Sequence, residues 1–152
     1  NRRAFMQDAY ARLKAANLDL EGVCIFIIDL DHFKRVNDIY GHDAGDRVLI
    51  HTSQQIVSCL PEASLAARLG GEEFAVLVGF SVIEEVHTLA EAIRERIATT
   101  PCRLDHQLIE VTASLGAGIA HPRDNVRSVL TRADNALYDA KNQGRNRFRV
   151  AA

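Results

Sequence analysis

Residues 67–79 read ARLGGEEFAVLVG. Two apolar runs flank a glycine pair, the pattern of a β-hairpin whose tight turn needs residues tolerant of positive φ. Glu72 and Glu73 are not explained by turn chemistry, which favours Asn, Asp or Gly. Two adjacent carboxylates at a hairpin tip need either water or a cation.

Working outward, SLAARL and EFAVLVG are the strands of this hairpin. GVCIFIIDL, residues 22–30, is a continuous apolar run rich in Ile and Val, the signature of a strand buried on both faces. Phe5, Ala9, Leu13 and Ala16 recur at helical spacing and predict a helix over 3–18. Asp31 can cap a short helix HFKRVNDIY that stops at Gly41. Residues 43–60 place Val48, Leu49, Ile56, Val57 and Leu60 on one helical face. Residues 82–98 do the same with Ile83, Val86, Ala90, Ile93 and Ile97. QLIEVTASLGAGIA alternates Leu108, Glu110, Thr112 and Ser114 against Ile109, Val111, Ala113 and Leu115, a half-buried strand. A further helix over 125–142 carries Val126, Val129, Leu130, Ala133, Leu137 and Ala140, and NRFRV closes as an edge strand. The central hairpin rules against a purely parallel sheet. The expectation is an α+β domain: a mostly antiparallel central sheet of about five strands flanked by helices.

The chain has 152 residues, 47% hydrophobic and 25% charged, with net charge −2, which suits one soluble domain covering 1–152. That balance excludes the broad basic face of a nucleic-acid binder, with KNQGRNRFR as a local exception. No apolar run approaches the roughly 20 residues of a membrane span, so no membrane contact is expected. The opening NRRAFMQDAY lacks the marks of a signal peptide. Cys24, Cys59 and Cys102 show no C-x-x-C spacing and read as reduced thiols, which points to the cytoplasm. His32, His42 and His51 lack HExxH spacing and read as structural or surface histidines.

Chemistry-bearing residues gather at element boundaries. Asp29 ends the central strand, and if the hairpin neighbours that strand, Asp29 and Glu72 can face each other across the sheet. Hard oxygen ligands beside open positions suit Mg2+, which keeps waters and binds substrate phosphates. The competing reading has Asp29 capping the next helix and both glutamates solvated. Lys141 and Arg145 lie at the end of the last helix and just past its Gly144 stop, where cations also complement the helix dipole. Lys34 stands in the first turn after Asp31, a position the dipole disfavours unless an anion shares the site. An acidic pair, a phosphate-friendly turn and two further cations together describe a metal–triphosphate site.

IIDLDHFKRVNDIYGHDAGD, RLGGEEF, VTASLGAGIA and ADNALYDAKNQGRNRF resemble, in order and spacing, the GGDEF domain of bacterial diguanylate cyclases, and NRRAF resembles the end of that family's opening signature. The resemblance spans essentially the whole chain. It implies a fold related to nucleotide cyclase and polymerase palms. It also implies condensation of two GTP into cyclic di-GMP with release of two pyrophosphates, by two domains meeting face to face. The chain would then be the catalytic piece of a longer regulatory protein.

The resemblance implies roles residue by residue. Asp29 matches the metal-binding aspartate, with the Leu30 carbonyl as a backbone ligand. Glu72 matches the glutamate that ligates both Mg2+ ions of a half-site, for which Mn2+ can substitute. Glu73 is the second acid of the signature, its role either metal positioning or acceptance of the 3′-hydroxyl proton. Lys34 and the Phe33–Lys34 backbone match phosphate contacts, and Lys141 with Arg145 matches the pair on the terminal phosphates. Asn37 and Asp46 match the guanine-recognising residues. A carboxylate at Asp46 can accept from guanine N1–H and the exocyclic amine, donors adenine does not present there, so the site should reject ATP. Gly70 and Gly71 let the backbone pass close to the nucleotide.

One departure stands out. Many family members carry an R-x-x-D inhibitory motif where this chain has Pro61, Glu62, Ala63 and Ser64, so no product-inhibition site is expected here. Cyclic di-GMP could still occupy the active half-site. The alternatives to an active cyclase are a non-catalytic module that binds GTP or cyclic di-GMP, and a cyclase making an adenine-containing dinucleotide, which Asp46 counts against.

Overall fold

A computed structural model describes residues 1–152. Five helices, α1 (Arg2–Ala15), α2 (Phe33–Tyr40), α3 (His42–Cys59), α4 (Ile83–Thr99) and α5 (Val126–Asn142), surround the strands. These are β1 (Gly22–Leu30), β2 (Leu65–Gly70), β3 (Glu73–Phe80), β4 (Cys102–Leu104), β5 (Gln107–Ile109), β6 (Ala113–Ile119) and β7 (Phe148–Ala151). The main sheet has the order β2-β3-β1-β6-β7, and every pairing is antiparallel except β6 with β7. The α+β expectation holds. No helix is long and apolar enough to cross a membrane.

The period-2 geometry of β1 explains its unbroken apolar run. Ile25 and Ile27 join Phe5, Ala9 and Leu13 of α1 and Val129, Ala133 and Leu137 of α5 in one cluster. Phe26, Ile28 and Leu30 point the other way, into a cluster with Val48 and Ile56 of α3 and Val86 and Ile93 of α4. Each such fully buried side chain contributes roughly 1.5–3 kcal/mol, so β1 is the spine of both cores. Its C-terminal residues are thereby fixed, and the candidate site begins there.

Three expectations change. QLIEVTASLGAGIA is not one half-buried strand: β5 pairs with β4 in a separate two-stranded hairpin, and all seven residues of β6 are buried. The second face of β6 is covered because Gly116 and Gly118 let the α5 backbone lie directly on it; a Cβ at Gly116 would sit 2.1 Å from the Ala133 carbonyl oxygen. Val57 points outward, 56% exposed, since the buried face of α3 runs through Ala44, Gly45, Val48, Leu49, Thr52 and Ile56. Asp31 does not cap α2. His32 holds that position in a left-handed conformation (φ 55°) without a side-chain cap bond, and the Asp31 carboxylate is taken instead by Thr112, Ser114 and the Asn146 N–H, as described below.

The start of α5 is secured by a capping box between Asn125 and Ser128. Asp124 adds an ion pair to Arg132 at 2.9 Å, its side chain only 11% exposed. The Arg132 guanidinium, with the His121 N–H and Ser128 hydroxyl, outweighs burial and holds the Asp124 carboxyl at about 2. A depressed carboxylate pKa stabilises the fold above the unfolded value and loses that contribution as pH falls through the folded one. Asp124→Asn should therefore cost about 1–2 kcal/mol at neutral pH. In thermal melts at stepped pH, the gap from wild type should close between about pH 4 and pH 2.

Candidate functional site

The site forms at one end of the sheet, where β1 ends and the β2–β3 hairpin turns. Gly70 (φ 146°) and Gly71 (φ 50°) both occupy positive-φ conformations, and a β-bulge lies between Arg68 and Gly70. Arg68 Nε donates to the Gly71 carbonyl at 2.8 Å and braces the turn. A Cβ at either glycine would meet nothing within 4 Å, so the space beside the tip is open.

The turn shifts the expected register by one residue. Glu73, the first residue of β3, pairs with Asp29, while Glu72 sits at the tip. The bulge consumes the extra residue in β2 and starts β3 at Glu73. Glu72 stays close to the end of β1 because its carbonyl accepts from the Leu30 N–H at 3.3 Å.

Asp29 is 7% exposed, and Lys141 from α5 donates to its Oδ2 at 2.9 Å. Burial pushes the Asp29 carboxyl up, and the Glu72 and Asp31 charges push the same way; Lys141 opposes them without winning. Glu73 is likewise raised, first by burial and then by Asp29 and Asp134, against Lys141 and Arg2. Asp134 is raised by burial, against Arg2 and Lys141. Three carboxyls, Asp29, Glu73 and Asp134, are thus raised chiefly by burial, with Lys141 opposing all three and Arg2 opposing Glu73 and Asp134. No three His, Cys, Asp or Glu side chains are gathered into a finished cation cage, and Lys141 pairs with Asp29. The hard carboxylate oxygens of Asp29 and Glu72 nevertheless suit a divalent ion such as Mg2+ or Mn2+.

The remaining predicted residues fall into two groups. Lys34 is exposed in α2 and pairs with Asp38 at 2.8 Å. Phe33 is buried in the core, so only its backbone can face a ligand. Arg145 lies in the turn after α5, one turn beyond Lys141. Asn37 on α2 packs over Gly45 on α3 so tightly that a Cβ there would fall 1.9 Å from Asn37 Oδ1. Asp46 is exposed rather than buried and lines a cleft of about 520 Å³ with Leu49, Ser53, Arg68 and Phe74. Its desolvation would come only with a bound base. The sequence reading missed Asp134 and Arg2 beside Glu73, and the second role of Lys141. Asp134 stands seven residues before Lys141, two helical turns along one face, which is the spacing that signals it.

The chain matches the family described as "Diguanylate cyclase, GGDEF domain" over residues 1–147. It is 41% identical to diguanylate cyclase A of Treponema denticola over 86% of this chain and 36% of that protein. It is 36% identical to the cyclic di-GMP phosphodiesterase NbdA of Pseudomonas aeruginosa over 96% of this chain and 19% of that protein. It therefore spans about a third or less of the length of these curated relatives. The crystal structure of the GGDEF domain of DgcB from Caulobacter crescentus in complex with c-di-GMP superposes with a TM-score of 0.91 at 33% identity, covering 99% of this chain and 90% of that one. The α+β fold is that of solved GGDEF domains. This chain belongs to the GGDEF domain family of diguanylate cyclases.

Proposed function

We propose that this domain condenses two GTP molecules into cyclic di-GMP, releasing two pyrophosphates, and that it acts as one half of a two-domain site. The observation that carries the reading is the pairing of Asp29 with Glu73 beside Glu72 at the open tip, with Lys141 on Asp29. Asp29, Glu72 and the Leu30 carbonyl would hold Mg2+, two per half-site, or Mn2+ in its place. When bound, such ions acidify the 3′-hydroxyl and neutralise charge on the phosphates. Lys141, which donates to Asp29 at 2.9 Å, stands at the site with a cation that would also serve the terminal phosphates. Arg145, Lys34 and the Phe33–Lys34 N–H groups hold the rest of the triphosphate. Glu73, with proton affinity raised by burial and its neighbours, suits acceptance of the 3′-hydroxyl proton. Asn37 and Asp46 read the guanine, and the second copy brings the other GTP. Incubation with GTP and Mg2+ followed by chromatography tests the reading: cyclic di-GMP and pyrophosphate are expected, and unchanged GTP would contradict it.

A second reading, a module that binds GTP or cyclic di-GMP without turnover, draws on the relative named as a phosphodiesterase. Binding with no product in the same experiment would favour it.

The missing R-x-x-D motif adds an expectation about regulation. Pro61–Ser64 forms a turn in which Ser64 Oγ donates to the Pro61 carbonyl at 2.7 Å, and Ala63 takes φ 64°. With neither guanidinium nor aspartate there, product should inhibit only by occupying the active half-site. In a product titration, Asp46→Ala should weaken binding. Tight binding lost on changing Glu62 or Arg68, with Asp46→Ala unaffected, would refute this.

A further inference from the structure

We infer that Asp31 is a positioning residue for Arg145: it brackets the left-handed turn that presents Arg145 to the phosphate end of the site. The inference rests on the reading of Arg145 as a phosphate-binding residue. Gly144, Arg145 and Asn146 take φ values of 121°, 62° and 46° in succession. A left-handed conformation at a residue other than glycine is disfavoured and persists only where surrounding contacts enforce it. Arg145 carries that penalty and Asn146 less of it; the Arg145 N–H is tied back to the Ala140 carbonyl at 3.1 Å, and the far side of the turn is held through Asn146.

The holding groups are specific. The Asn146 N–H donates to Asp31 Oδ2 at 3.0 Å, across 115 positions of sequence. The Asn146 side-chain oxygen accepts from Arg94 Nη1 on α4 at 2.8 Å, and Arg94 is itself oriented by two bonds to Glu91, at 2.9 and 2.6 Å. Asp31 is anchored in turn: Ser114 Oγ donates to Oδ1 and Thr112 Oγ1 to Oδ2, each at 2.7 Å, and the Asp31 N–H donates to the Thr112 carbonyl at 2.8 Å. Asp31 is 7% exposed and Ser114 fully buried. Both carboxylate oxygens are therefore committed to this bracket. The two aspartates of IIDLD divide the labour: Asp29 faces the lysine and the cation-attracting carboxylates, while Asp31 ties the ends of β1 and β6 to the turn carrying Arg145.

A purely structural Asp31 would affect melting temperature alone. A positioning Asp31 affects the grip on terminal phosphates as well. The test uses 3′-deoxy-GTP and 3′-deoxy-GDP with Mg2+, which cannot condense, and measures both affinities by calorimetry. Wild type should prefer the triphosphate, and Arg145→Ala should remove most of that preference. Asp31→Ala, checked as folded by circular dichroism, should weaken triphosphate binding about tenfold with little change for the diphosphate. In the Arg145→Ala background, the same change should add less than about twofold, because the two residues act as one unit. Arg94→Met loosens the bracket from its other side and should reduce the preference about threefold; it decides the question if Asp31→Ala does not fold. An unchanged triphosphate preference in these variants, or an Asp31→Ala loss that persists in full without Arg145, overturns the inference. A wild type without the preference, or an Arg145→Ala that keeps it, overturns instead the assignment of Arg145 and with it the ground on which the bracket matters.

Discussion

Glu72→Gln is expected to lower cyclic di-GMP formation by more than about a hundredfold, since even loss of an outer partner of a metal site costs that order. The substitution is isosteric, sits at an open hairpin tip and leaves the carbonyl bond to Leu30 in place, so the melting temperature should stay within about 1 °C of wild type. Asp29→Asn should be as inactive for a compound reason. It removes the buried carboxylate of the site and the partner of Lys141 at 2.9 Å. A chromatographic assay at saturating GTP and Mg2+ reads both variants. Turnover within a few-fold of wild type in both would remove Asp29 and Glu72 from the metal site.

The largest effect on stability should come from the smallest substitution. Gly116→Ala places a Cβ 2.1 Å from the Ala133 oxygen, 2.3 Å from the Leu137 nitrogen and 2.8 Å from the Leu137 Cα, all backbone atoms of α5. No side-chain rotation relieves that clash, so α5 must lift from β6. The cost should exceed the usual overpacking range and reach about 3 kcal/mol or more, a fall of roughly 10 °C in melting temperature. Lys141 rides on the same helix, so activity should drop with stability. Gly79→Ala is the control: its nearest neighbour outside the adjacent residues would be 3.7 Å away, and it should shift the melt by no more than about 0.5 kcal/mol. A Gly116→Ala protein as stable as Gly79→Ala would mean that β6 and α5 are not in direct backbone contact.

These cases show which parts of the molecule could be read from residues alone. The hairpin, the spine strand and most of the buried helix faces follow from local periodicity and turn chemistry. The pairing partner of Asp29 does not, because register depends on where a single bulge absorbs a residue. The role of Asp31 was hidden for a related reason: an aspartate before a helix reads locally as a cap, whereas its real partners, Thr112, Ser114 and Asn146, are more than 80 positions away. Lys141 illustrates the same limit. Its place at a helix end suggests a dipole or phosphate role, yet folding brings it across 112 positions to Asp29. The short β4–β5 hairpin escaped because three-residue strands carry too little periodicity to register.

The central claim is that the domain is one half of a condensing pair. The initial rate of cyclic di-GMP formation, followed at saturating GTP and Mg2+ over a dilution series of the protein, tests it most directly. A rate rising approximately as the square of protein concentration at the dilute end is the predicted result. A rate strictly proportional to concentration throughout, or no cyclic di-GMP at any concentration, would contradict it.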